Sequence, residues 1–235
     1  MNVYCLLCQQ RYVPKLGWSD FLTVKQADVL CDVCRRSFSL LDGERCCHCD
    51  RPFSLVADSY RHGELCTDCL RWQQADEWCD VLTKNRSVYV YDEWMKDVVT
   101  RWKFRGDYAL VEAFRADFCR EFFRHFSSDV VLVPIPLSRE RLYERGFNQA
   151  RALAELLSLP IADVLERIDS EKQSQKTRLE RLRTVQFRLR TGEWRCDQCV
   201  LVDDLYTTGS TVYHAARLLK QAGMRDVSSF TLARA

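Results

Sequence analysis

From Ser87 onward, apolar positions along the chain switch repeatedly between a strand-like pattern and a helical one. Ser87–Tyr91 reads as a short strand, and Trp94, Val98, Val99 and Trp102 put apolar groups on one face of a helix. Leu110, Val111, Phe114, Phe118, Phe122 and Phe126 recur mostly at steps of three and four, which predicts one amphipathic helix with Cys119 packed in it as a small apolar residue. Val130–Val133 is an unbroken apolar run ending in Pro-Ile-Pro, the pattern of a buried strand that opens into a loop. Asn148–Leu157 is helical again, and Val200–Val202 repeats the buried strand. Thr211–Ala222 is a helix closed by Gly223, and Val227–Leu232 is a last strand. Strand and helix alternate, so the class expected for residues 87–235 is α/β, an open parallel sheet flanked by helices.

Residues 1–80 carry no such periodicity and are dominated by cysteine. Of 13 cysteines, ten lie in the first 79 residues. Eight form four CxxC pairs: Cys5 and Cys8, Cys31 and Cys34, Cys46 and Cys49, Cys66 and Cys69. A two-residue gap lets a tight turn aim two sulfurs at one ion, so each pair is half of a tetrahedral site. Gaps of 22 residues between the first two pairs and 16 between the last two suit a double zinc ribbon or knuckle, with two structural zinc ions. Joining the first two pairs and then the last two is the simplest assignment; an interleaved one stays open. Zinc is preferred to an iron–sulfur cluster or redox disulfides, and metal must supply much of the folding free energy of so short a region. Cys47 and His48 are read as bystanders, and the isolated pair Cys196 and Cys199 as a chance spacing beside a strand.

Composition narrows the function classes. With 47% apolar and 29% charged residues the 235-residue chain is globular, and a net charge of +2 gives it no overall field for a polyanion. Nucleic-acid contact therefore needs a local patch. No apolar run approaches the ~20 residues of a membrane helix, and the first residues lack a basic stretch followed by a long apolar one, so a cytoplasmic location is expected.

The candidate chemistry lies where strands of such a sheet end. Val200-Leu201-Val202-Asp203-Asp204-Leu205-Tyr206-Thr207-Thr208-Gly209-Ser210-Thr211 runs from a buried strand through two carboxylates into a small, hydroxyl-rich turn and a helix. Thr207 to Thr211 can present consecutive amides and hydroxyls to a phosphate, with Gly209 permitting close approach. Asp203 and Asp204 then suit two vicinal sugar hydroxyls or a Mg²⁺ ion. No two of the eight glycines are two, four or five positions apart, which removes the GxGxxG, GxSxG and P-loop patterns.

VDDLYTTGST resembles the 5-phosphoribosyl-1-pyrophosphate (PRPP) loop of type I phosphoribosyltransferases. Together with WKFRGD (Trp102–Asp107), VPIPLSRERLYERGFNQA (Val133–Ala150), SSFTLAR (Ser228–Arg234) and the cysteine-rich start, it makes the whole chain resemble the ComF family of competence proteins. The resemblance implies a type I phosphoribosyltransferase fold. Asp203 and Asp204 would hold the ribose hydroxyls, and Thr207, Thr208, Gly209, Ser210 and Thr211 the 5-phosphate, with Mg²⁺ possible beside PRPP. Pro136, Leu137, Ser138 and Arg139 would lie on the pyrophosphate side. Arg141 and Arg145 are further polyanion candidates, although the alternation with Glu140 and Glu144 fits a solvated face equally well. The implied role is DNA uptake in natural transformation, on incoming single-stranded DNA with a ComFA-type helicase and other competence DNA-processing proteins. Such partners would bring the chain to the inner face of the membrane.

Ser170–Arg190 has seven Lys and Arg against two Glu, at the place where phosphoribosyltransferases put a mobile loop. Lys172, Lys176, Arg178 and Arg181, with Lys103 and Arg105 of WKFRGD, are the nucleic-acid candidates; the same loop could instead close over pyrophosphate or be merely solvated. The expected function is PRPP binding coupled to single-stranded DNA handling. The alternatives are an active phosphoribosyltransferase, for which no base-recognition hood is visible, and a PRPP-responsive regulator without DNA contact.

Overall fold

A computed structural model describes residues 3–13, 29–104, 107–168, 187–190 and 197–235. The sheet is parallel and four-stranded, built from β5 (Asn85–Val90), β6 (Val131–Pro134), β9 (Gln198–Tyr206) and β10 (Asp226–Arg234), in the order β5-β10-β9-β6. Smaller antiparallel pairs are β1 (Val3–Tyr4) with β2 (Arg11–Tyr12), β3 (Arg61–His62) with β4 (Leu65–Cys66), and β7 (Leu165–Arg167) with β8 (Phe187–Leu189). The helices are α1 (Asp32–Arg36), α2 (Thr67–Gln74), α3 (Glu93–Phe104), α4 (Arg115–His125), α5 (Arg139–Arg145), α6 (Gln149–Leu156) and α7 (Ser210–Gln221).

Both faces of the sheet are covered, which is why β6 and β9 carry unbroken apolar runs. Successive residues of β9 go to opposite sides. Val200 and Val202 join Trp102, Phe114, Phe118, Phe122 and Phe230 in one buried cluster, whereas Cys199 and Leu201 join Val212, Ala215, Ala216 and Val227 in the other. Cys5, Cys31 and Cys34 belong to the first cluster, and Cys46, Cys49, Cys66 and Cys69 to the second. The cysteine-rich region thus contributes to both cores.

It also closes an edge. Among the described residues β5 has a strand of the sheet, β10, on one side only, and an uncovered edge invites association with another chain. Residues 39–41 run antiparallel along its outer side, with Leu41 N donating to Val88 O at 2.9 Å and Val90 N to Ser39 O at 2.9 Å. Further along, the Asp50 carboxylate accepts from Ser87 N at 3.0 Å.

The expected strands and most helices are present within a few residues of their predicted limits, but the stretch 110–126 differs. Tyr108–Ala113 is a 3₁₀ segment and the α-helix begins only at Arg115. Leu110, Val111, Ala113 and Phe114 are all buried, and a straight α-helical stripe through Phe114, Phe118 and Phe122 would turn some of them outward. Helix α5 was not predicted. Ser138 caps it, its hydroxyl accepting from Arg141 N at 3.3 Å, and Gly146 ends it in the left-handed region at φ +77°. Among the described residues no helix is long and apolar enough to cross a membrane.

Candidate functional site

Two cysteine groups assemble as the simplest spacing predicts: Cys5, Cys8, Cys31 and Cys34, and Cys46, Cys49, Cys66 and Cys69. Within each, the four Sγ atoms lie within 4.8 Å of one another. Zn–S bonds of about 2.3 Å place tetrahedral sulfurs about 3.8 Å apart. The Cys8–Cys31 and Cys49–Cys66 sulfur separations are 3.7 and 3.6 Å, so both groups can hold a metal ion and their donor set fits zinc.

The two centres are built alike. In each, the first pair sits in a turn: Gln9 N bonds Cys5 O and Asp50 N bonds Cys46 O, both at 2.9 Å, with Gln9 and Asp50 at φ near +58° and +59°. The second pair opens a helix, Cys31 standing before α1 and Cys66 before α2, where the helix dipole favours thiolate. Backbone hydrogen bonds from Cys8, Cys31 and Leu7 outweigh burial and push the Cys5 thiol down to about 7. Cys46 is held far below the thiol range, chiefly by hydrogen bonding from Cys49 and then from Cys66 and Cys69. Cys47 and His48 stay outside both groups; His48 Nε2 instead meets Tyr213 Oη at 3.0 Å. Cys199 is buried in β9, and Cys196 lies outside the described residues.

The acidic pair stands at the carboxyl end of β9, beside the carboxyl end of β6. The two strands pair through Pro134 and Val202, and Ile135 N still donates to Val202 O at 2.9 Å. Asp204 N donates to Asp203 Oδ1 at 2.9 Å, and Lys103 from α3 forms an ion pair with Asp204. Burial, and next the Asp204 carboxylate, push the Asp203 carboxyl well above its ordinary range.

The chain then turns through Thr207, Thr208 and Gly209 into α7. Gly209 sits at φ +86°, where a Cβ would run into the phenol ring of Tyr206. The Tyr206 hydroxyl is buried under this turn with no hydrogen-bond partner among the described residues. The carbonyls of the turn point the other way. Thr207 O accepts from Arg234 Nη1 at 2.9 Å and from Arg51 Nη2 at 3.2 Å, and Thr208 O accepts from Trp72 Nε1 at 2.9 Å. C=O and the following N–H are antiparallel in a planar trans peptide, so the amides of Thr208 and Gly209 face away from these donors. Ser210 and Thr211 add first-turn helix amides, which have no carbonyl partner within the helix.

On the pyrophosphate side, Pro136, Leu137 and Ser138 link β6 to α5. The segment RGFNQ fastens that helix to the strand end. Gly146 terminates α5, Phe147 packs against Trp102 and Tyr108, and Asn148 both caps α6 at Ala150 N (2.9 Å) and donates Nδ2 to Ile135 O at 3.0 Å. Arg145 Nη1 donates to Gln149 Oε1 at 3.0 Å, while Arg145 Nε and Gln149 Nε2 are buried without a partner among the described residues. Burial holds the Arg145 guanidinium below its ordinary value, with Asp204 and Asp203 pulling the other way. Arg139 is on the exposed start of α5, 3.9 Å from Glu166, and Arg141 is also exposed.

The nucleic-acid candidates scatter differently. Lys103 is neutralised by Asp204 and so belongs to the surroundings of the acidic pair. Arg105, Lys172, Lys176, Arg178 and Arg181 lie outside the described residues. Arg51, Trp72, Tyr206, Gln149 and Arg234 had no role assigned from sequence. Two of them follow ligand cysteines by two or three positions, and Arg234 is a charged residue in an otherwise buried strand, which was the available signal.

Residues 123–235 match the family described as phosphoribosyl transferase domain. Competence protein ComFC of Bacillus subtilis is 40% identical over 236 residues, covering 99% of this chain and 95% of that protein. Competence protein ComFC of Streptococcus pneumoniae is 35% identical, covering 98% of this chain and 99% of that one. A solved purine phosphoribosyltransferase from Pyrococcus horikoshii aligns over 60% of this chain and 85% of that one at 17% identity and a TM-score of 0.29, too weak a likeness to argue from. The near full-length matches, the parallel sheet and the paired cysteine centres agree: this chain belongs to the ComFC family of competence proteins.

Proposed function

We propose that this protein binds PRPP at the turn between β9 and α7 and, in that state, handles incoming single-stranded DNA during natural transformation beside a ComFA-type helicase. The observation that carries the first half is the order of groups along one strand end. Asp203 and Asp204 are followed, after Leu205 and Tyr206, by a turn whose carbonyls are tied back and whose amides are turned outward. A phosphate ester seated on those amides would bring the two vicinal hydroxyls of its ribose toward the carboxylates. Arg145 Nε and Gln149 Nε2 are buried polar atoms without partners among the described residues, as a site awaiting a polar ligand would have. Mg²⁺ carried on the pyrophosphate oxygens would offset their charge beside the acidic pair.

For DNA the support is local charge with aromatic surface. Phe104, 67% exposed, lies under the Arg145 guanidinium at 5.8 Å, and Tyr143 of α5 is 92% exposed next to Arg139 and Arg141. Exposed rings among arginines suit stacked bases and a phosphate backbone.

A second reading is favoured by the retained acidic pair with Lys103: a phosphoribosyltransferase that displaces pyrophosphate from PRPP. One experiment separates the two. Purified protein is titrated with PRPP, Mg²⁺ and single-stranded DNA, and binding and pyrophosphate release are scored together by calorimetry and mass spectrometry. Binding of both ligands without pyrophosphate release is the expected result. Steady release in the presence of a nucleobase would establish the transferase instead, and no PRPP binding would refute both.

A further inference from the structure

We propose that the second cysteine centre, Cys46, Cys49, Cys66 and Cys69, is the scaffold of the phosphate turn, holding its amides toward the ligand through Arg234, Arg51 and Trp72. The inference rests on the PRPP reading and names what gives that site its affinity.

Three donors reach the turn, and each is tied to a ligand cysteine. Arg234 is 1% exposed and bonds in two directions. Its Nε donates to Cys49 O at 2.9 Å and its Nη2 approaches Cys49 Sγ at 3.2 Å, while Nη1 donates to Tyr206 O at 3.0 Å and Thr207 O at 2.9 Å. Four thiolates around a divalent ion leave the centre negative, so a metal-loaded site stabilises the buried guanidinium that grips the turn. Arg51 follows Cys49 by two residues. It spans both halves of the centre, pairing with Asp68 at 2.7 Å, and reaches Thr207 O. Trp72 follows Cys69 by three residues on α2, stacks on Tyr213 of α7 at 4.1 Å and 10°, and donates to Thr208 O.

Two carbonyls in succession are therefore fixed from the metal side, and peptide planarity sends the amides of Thr208 and Gly209 to the opposite side. Without these donors the turn keeps its sequence but loses the orientation on which phosphate binding depends. Among the described residues the first cysteine centre makes no such link to the turn. It packs against the other face of the sheet and is fastened to α3 by Arg101 Nη1 on Leu7 O at 2.8 Å.

The test uses the full chain and two substitutions that spare every metal ligand, Trp72→Phe, which keeps the stacked ring, and Arg51→Gln. Metal content is measured for each, and labelled PRPP is displaced with unlabelled PRPP, ribose 5-phosphate and pyrophosphate. Loss of one hydrogen bond to the turn predicts affinities for PRPP and ribose 5-phosphate about three- to tenfold weaker in each variant. Affinity for pyrophosphate and a metal content equal to the parent's should persist, a split that a merely structural role would not produce. Unchanged PRPP affinity in both variants, or equal loss for all three ligands, overturns the scaffold. If one variant does not fold, the other decides. Failure of the PRPP reading has its own signature, since the unsubstituted chain would then bind no PRPP.

Discussion

Gly209 has no room for a side chain, because a Cβ there would meet the Tyr206 phenol and its φ of +86° disfavours L-residues. Gly209→Ala should cost about 2–4 kcal/mol in strain and overpacking, lowering the Tm by roughly 5–10 °C, and should abolish PRPP binding. Calorimetric melts with and without PRPP check both. Asp203 gives the opposite sign. Its folded-state pKa is raised by burial and by Asp204, so its contribution to stability is present below the unfolded carboxyl value of about 3.9 and is lost as pH rises through the raised native value. Asp203→Asn should therefore raise the neutral-pH Tm of the ligand-free protein by about 2–4 °C, for ~1 kcal/mol relieved, and flatten that pH dependence while weakening PRPP binding. A variant with an unchanged melt at neutral pH would mean the carboxylate is solvated.

Among the elements, RGFNQ has a structural use that its sequence does not announce. Asn148 caps α6 and clamps Ile135 O, and the two interactions together make Asn148→Ala destabilising by about 2 kcal/mol, read as a lower urea midpoint with unchanged slope. The buried strands β6, β9 and β10 and the helix α7 were legible because apolar runs and stripes decide such elements locally. Helix α5 was not, since Arg139–Arg145 buries no residue and shows no stripe; only Ser138 and Gly146 mark its ends. The break before α4 was hidden for the opposite reason: aromatic residues at helical spacing continue through a segment that the core forces into a tighter turn. At the site, the acidic pair and glycine turn could be read as a linear motif. Arg234, Arg51 and Trp72 could not, because they converge on Thr207 and Thr208 from 27, 156 and 136 positions away.

At the scale of the molecule, the cysteine centres are parts of the two cores flanking one sheet. Chelation under reducing conditions is therefore predicted to unfold the chain as a whole, with loss of far-ultraviolet circular dichroism in step with zinc release. Survival of the sheet after complete metal removal would contradict this. With a net charge of only +2, DNA affinity must come from local cations, and replacing Lys176, Arg178 and Arg181 should flatten the slope of log affinity against log salt by about two. An unchanged slope would move the DNA surface to α5 and the end of α3. The central claim, a sugar-phosphate site at the end of β9, is tested most directly by calorimetric titration of PRPP with Mg²⁺ into the parent chain and into Asp203→Ala with Asp204→Ala. Saturable binding by the parent and an affinity about 100-fold lower in the double variant are predicted, for two charged acceptors lost from a folded site. Equal affinity in both would contradict it.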